Sequence, residues 1–262
     1  MSSSPNLREA CLELAWSLWS ELGVPGVVRQ HSSFAIDPEP LVVWSPHVIV
    51  DDPRLRDLVF AWCRAHGARL STSRLRVLMT DLPSTASRRY SEFAVALHRA
   101  GGSRWPGDPA ADGWPEPSDV APPPLPIDRA ALLRFRMRAL VGVGARSDSL
   151  CQLLAVWPAV STAREIAEQG YSKRNIARIL AELAEAGVLA SQGRGNRREV
   201  RLRKPELLGE LVQATGVESV AWHGLLTMLG TLTDLQARCE GRAPASRRIE
   251  GHKARELLAP VA

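Results

Sequence analysis

The sequence predicts a mainly α-helical protein. A helical N-terminal domain is followed by a second domain of helix, tight turn, helix and small β-hairpin, and then by C-terminal helices. Three observations carry this. Apolar residues recur at three- and four-residue spacing along most of the chain, while alternation typical of a strand is concentrated between 188 and 204. Eight prolines crowd residues 101–127 and separate two patterned regions. The formal net charge of +5 is matched by one stretch, 161–204, which holds ten Lys and Arg against five Asp and Glu. The expected divisions are a helical domain over 1–100, a linker over 101–127, a domain over 128–214, and C-terminal helices over 215–262 that could pair two copies.

In the N-terminal domain, Asn6 is a candidate cap for a helix over 7–22, with Leu7, Cys11, Leu14, Leu18 and Leu22 on one face and Trp16 and Trp19 to one side. Between 27 and 50 the β-prone runs Val27-Val28 and Leu41-Val42-Val43-Trp44 are broken by Pro38, Pro40 and Pro46, which reads as extended loop or edge strand. Asp51 or Asp52 then caps a helix that has Pro53 in its first turn and Leu55, Leu58, Val59 and Trp62 inward. Two more helices follow, over about 72–80 and 84–100, carrying Leu75 and Leu78, and Tyr90, Phe93 and Leu97. Arg69, Arg74 and Arg76 lie near a helix boundary; with Asp51, Asp52 and Asp57 to balance them, they read as a solvated face.

The proline-rich stretch forbids helix and favours extended chain. Trp105 and Trp114 are unusual in a free tether, so at least one should dock on a domain surface. Beyond it, Asp128 is the expected cap of a helix through Leu140, whose Arg129, Arg134, Arg136 and Arg138 form the polar side. After Gly142-Val143-Gly144, a linking turn, Ser147 or Asp148 caps a helix over 150–156.

In the central stretch Ala163, Ile166 and Ala167 mark a short helix, Gly170 ends it, and Ser172 caps the next. That next helix puts Ile176, Ile179, Leu180 and Leu183 on one face and leaves Lys173, Arg174, Asn175 and Arg178 pointing elsewhere, near its N-terminal end. Gly187 stops it. Gly193-Arg194-Gly195-Asn196 is turn chemistry between two short strands, the second alternating Val200 and Leu202 with Arg201 and Arg203. Six of the ten basic residues lie on or beside this hairpin. A basic hairpin next to a helix with a basic, amide-bearing N-terminus suits a duplex, with the helix in the major groove and the hairpin along the phosphates.

Residues 128–204 resemble the winged helix-turn-helix domains of bacterial transcriptional regulators of the MarR and ArsR type. The resemblance is carried by TAREIAEQGYSKRNIARILAELAEAGVLASQGRGNRREVRL and covers under a third of the chain. It implies that the second helix reads base edges and that the hairpin, the wing, touches phosphates. Ser172, Lys173, Arg174, Asn175 and Arg178 would then be groove residues, and Arg194, Asn196, Arg197 and Arg198 wing residues. In the N-terminal half, DDPRLRDLVFAWCRAHGARLSTSRLRVL resembles stretches of bacterial proteins encoded beside nucleotidyltransferase toxins.

Other chemistries find little support in the sequence. The six histidines are dispersed without metal-ligand or nucleophile-base spacing, and GxSxG and P-loop motifs are absent, so no enzyme, cofactor or metal is expected. Cys11, Cys63, Cys151 and Cys239 are scattered and read as reduced thiols. No run of about 18 apolar residues or signal peptide appears, so a cytoplasmic location and no membrane contact are expected. The expectation is a sequence-specific DNA-binding transcriptional regulator that binds double-stranded DNA as a homodimer. The alternative is an antitoxin or other protein-interaction component that holds a toxin partner and regulates its own gene through the winged helix.

Overall fold

The structure, a computed structural model, describes residues 6–26, 29–194, 197–214 and 216–239, without the side chains of Arg194 and Cys239. Val27-Val28, Gly195-Asn196 and the tail after Gly241 lie outside the described residues. The described chain is mainly helical with a small sheet.

Helix α1 (Leu7–Glu21) starts where Asn6 Oδ1 accepts from the Arg8 amide at 3.3 Å. A two-residue strand β1 (Phe34–Ala35) precedes α2 (Pro38–Ile49), which corrects the expectation of extended chain over 27–50. Two of the three prolines do not oppose this helix. Asp37 is its extended cap residue, and Pro38 and Pro40 fall in the first turn, where amides have no intrahelical acceptor. Pro46 is interior, a position that costs ~3 kcal/mol or more in an isolated helix. What offsets it is burial on all sides: every residue of α2 except His47 is buried, so the β-branched run that mimicked a strand fills a core instead.

Helix α3 (Pro53–His66) is capped by Asp52, whose Oδ1 accepts from Leu55 N at 3.0 Å, while Asp51 pairs with Arg8. Then come α4 (Thr72–Leu78), capped by Ser71, and α5 (Ser84–Arg99). The linker drapes over this unit. Trp105 and Trp114 are both buried against Phe93, with ring centroids 6.2 and 4.9 Å away. Pro124 passes so close to the end of α1 that a Cβ on Gly23 (φ 105°) would lie 2.2 Å from its carbonyl oxygen.

Helix α6 (Leu133–Val141) begins after a 3₁₀ turn rather than at Asp128, and α7 (Ala145–Ala155) starts at Gly144, so neither Ser147 nor Asp148 caps it. Strand β2 (Ser161–Thr162), α8 (Ala163–Ala167) and α9 (Lys173–Glu185) follow. Strands β3 (Leu189–Arg194) and β4 (Arg197–Leu202) pair antiparallel, Leu189 opposite Leu202 and Arg194 opposite Arg197. β2 adds to the other edge of β4, giving the order β2-β4-β3. After α10 (Pro205–Leu211), Glu218 and Ser219 form β5, parallel to β1, and α11 (Trp222–Cys239) follows.

Two buried clusters result. One gathers α1 to α5 around α2, and residues from beyond the linker complete it: Ala131, Leu132, Phe135, Trp222 and Leu226. The indole of Trp222 donates to Ala35 O at 2.7 Å, and a Cβ on Gly230 would sit 3.4 Å from Trp44 Cδ1. The apolar residues Trp222, Leu225, Leu226 and Leu229 of α11 thus pack on the N-terminal core. The second cluster joins α6, α7, α8, α9 and the three-stranded sheet through Met137, Leu153, Ile166, Ile176, Leu189 and Val200.

Between the clusters lies a buried ion network. Arg134 and Arg138, read from sequence as a polar face, are 7% and 4% exposed. Arg74 forks onto Asp37 at 2.5 Å twice and reaches Glu39 at 3.0 Å. Arg138 pairs with Glu39 at 2.8 Å and Asp148 at 3.1 Å, and Arg134 with Asp148 at 3.2 Å and Asp37 at 3.3 Å. Three carboxylates thus meet three guanidiniums, which is the pairing a buried charge requires.

Candidate nucleic-acid interface

The candidate surface is built on α8, its turn and α9. Thr162 and Glu165 form a reciprocal cap at the start of α8, with Thr162 N donating to Glu165 Oε2 at 2.7 Å. Gly170 (φ 99°) makes the turn, and Tyr171 N donates to Ala167 O at 3.0 Å. Ser172 then accepts from Asn175 N at 3.3 Å and starts α9. Ile176, Ile179, Leu180 and Leu183 are buried, so the remaining faces of the helix are offered to solvent.

The turn is anchored to the ion network. Tyr171 OH donates to Asp148 Oδ2 at 2.6 Å, and Arg74 Nε donates to Gln169 O at 2.6 Å. Burial alone would push the Asp148 carboxyl up. The guanidiniums of Arg138, Arg134 and Arg74 outweigh it and hold the group well below the usual carboxylate range. Burial, reinforced by that carboxylate, pushes the Tyr171 hydroxyl up, so it stays protonated and donates. The start of α9 is therefore fixed by Asp148 and Arg74, which sequence spacing gave no means of pairing.

On α9 and at its cap, Ser172, Lys173, Arg174 and Arg178 are exposed, and Asn175 is half-buried. Lys173 and Arg174 have no ion-pair partner among the described residues. Arg178 is engaged: it pairs with Glu182 and donates to Asn175 Oδ1 at 3.1 Å. Arg146, at the start of α7, meets Glu182 at 2.5 Å and so adds a cation beside this helix that sequence reading did not select.

On the hairpin, Arg197 is exposed, and Arg198 is exposed with Nε donating to Ser191 Oγ at 2.6 Å. Val200 and Leu202 turn to the core, which leaves Arg197 and Arg201 on the opposite face. Arg201 lies over the Trp157 ring at 5.9 Å, and Arg203 Nε donates to Leu189 O at 3.0 Å. Arg194 is paired opposite Arg197, and Asn196 lies outside the described residues. The N-capped end of α9 and strand β4 thus offer two kinds of donor without an ion-pair partner among the described residues, the point charge of Lys173 and the planar forks of Arg174 and Arg197.

Among the described residues no group of three or more His, Cys, Asp or Glu could hold a metal ion, and no helix is long and apolar enough to cross a membrane. No protein-family model, curated protein or solved structure matches the chain.

Proposed function

We propose that this protein is a winged-helix DNA-binding transcriptional regulator. In this reading α9 enters the major groove, β3 and β4 form the wing along the phosphates, and Ser172, Lys173, Arg174, Asn175, Arg178, Arg194, Asn196, Arg197 and Arg198 are the contacting residues. The observation that carries it is the unpaired, exposed pair Lys173 and Arg174 in the first turn of a helix whose opposite face is buried. The order of elements from α6 through β4, with β2 closing the hairpin into a three-stranded sheet, supports the same reading. The test is a gel shift on duplex DNA from upstream of the protein's own coding sequence, repeated at several salt concentrations. The reading requires a tighter complex with one upstream segment than with scrambled DNA of equal length, and a steep loss of affinity with salt.

Pairing of two copies belongs to the same proposal, through α10 rather than α11. Leu207 and Leu211, one turn apart, are 56% and 65% exposed, the highest values among the exposed large apolar side chains described. Replacing both by Glu should convert a dimer to a monomer in light scattering. An unchanged dimer, or a wild-type monomer, would remove α10 from the account.

A further inference from the structure

Helix α4 has two working sides. Arg74 and Leu78 face the turn between α8 and α9, since a Cβ on Gly170 would lie 3.3 Å from Arg74 Cγ and 3.1 Å from Leu78 Cδ2. Arg76 is two residues from each, about 200° around the helix, and so points the other way. There it enters a groove of about 560 Å³ between α4, α5 and the linker strap over 104–109. Arg76, His98, Arg99 and Arg104 line this groove, and no carboxylate does.

The two acids of the neighbouring linker, Asp108 and Asp112, do not line the groove. Asp112 pairs with Arg99 at 3.1 Å, and Asp108 Oδ1 accepts from Ala110 N at 2.9 Å. Arg76 and Arg104 have no ion-pair partner among the described residues. The strap that presents Arg104 is itself fixed: Trp105 is 93% buried against Phe93, and Asp108 N donates to Ser91 Oγ at 3.2 Å. Trp105 also forms part of the groove wall, and its indole N–H has no hydrogen-bond partner. A walled groove lined by Arg76 and Arg104, which have no ion-pair partner among the described residues, and by no carboxylate is a receptor for a compact polyanion.

We infer that this groove binds a small ligand bearing two or more phosphate groups, held by Arg76 and Arg104 with His98 and Arg99 beside them. A nucleotide and an inorganic polyphosphate share this chemistry. A DNA duplex is a poorer fit, because Arg76 points away from the side of α4 that faces the α8–α9 turn. The inference stands apart from the DNA-binding proposal, since it uses none of the residues assigned to α9 or the wing.

The test is calorimetric titration of the full chain with inorganic tripolyphosphate, pyrophosphate and ADP. Wild type should bind tripolyphosphate with a sub-millimolar Kd, and R76A/R104A should weaken it at least tenfold with an unchanged melting temperature. R76Q/R104Q serves if the alanine variant fails to fold. R197A/R198A should bind tripolyphosphate as wild type does. ADP binding tighter than pyrophosphate would support the inference with a nucleotide as ligand, and equal binding would support it with phosphate alone. No binding by wild type, an unchanged Kd in R76A/R104A, or loss in R197A/R198A instead would overturn the inference. So would an R76A/R104A protein that keeps tripolyphosphate but loses affinity for a duplex, since the groove would then be a DNA contact.

Discussion

The network that holds the α8–α9 turn can be broken by removing one charge. Asp148→Asn keeps the size of the side chain but leaves three buried guanidiniums facing only Asp37 and Glu39, one positive charge uncompensated. Removing one member of a buried ion pair costs about 3–5 kcal/mol. At about 2–4 °C per kcal/mol for a chain of this size, the melting temperature should fall by roughly 6–20 °C. The pH dependence supplies a second signature. The Asp148 carboxyl sits well below its ordinary value of 3.8 in the folded protein, so the unfolded chain takes up the proton first as pH drops. Its contribution is fully present above about pH 4 and is lost progressively below it. The gap between wild type and Asp148→Asn in urea-unfolding free energy should therefore be widest near pH 7 and narrow toward pH 3. An equal melting temperature at pH 7, or a gap that does not change with pH, would refute the view that this carboxylate is a charged keystone of the junction.

Two further outcomes follow from the proposed interface and from the shared core. Arg197→Ala and Arg198→Ala should weaken binding to all duplexes alike, each lowering the salt slope by about one unit, as read by fluorescence anisotropy across a salt series. A fragment of residues 128–239 should fail to melt cooperatively in circular dichroism, because Arg134 and Arg138 would keep Asp148 as their only carboxylate and Trp222 would lose its Ala35 acceptor.

Much of the second half was legible in sequence because its elements carry their own signals. Ser172 before an apolar stripe, Gly170 and Gly187 at helix ends, and the alternation of Val200 and Leu202 with arginines are all local. Helix α2 was not legible: three prolines and a β-branched run are local signals for extended chain, and only burial on every side reverses them. The ion network was hidden for a related reason. Arg74 reads as part of a solvated face, Arg134 as the polar side of a helix and Asp148 as a helix cap, and only the fold brings them beside one another and Asp37. The linker shows the intermediate case. Its two tryptophans announced docking, and both dock, but nothing local told that α11 would cross from the far end of the chain to finish the same core.

The proposal rests on α9 reading bases, and one measurement addresses that directly: selection of preferred sites from a randomised duplex pool, at one salt concentration, by wild type and by Arg174→Ala. Arg174 is exposed on the first turn and has no ion-pair partner among the described residues, so its fork is available to a guanine edge, a contact that discriminates by ~1–3 kcal/mol. Wild type should enrich a defined motif, and Arg174→Ala should lose preference at one or two positions of it while keeping non-specific affinity. No enrichment by wild type, or the same motif from both proteins with a uniform loss of affinity, would contradict the assignment of α9 as the reading helix.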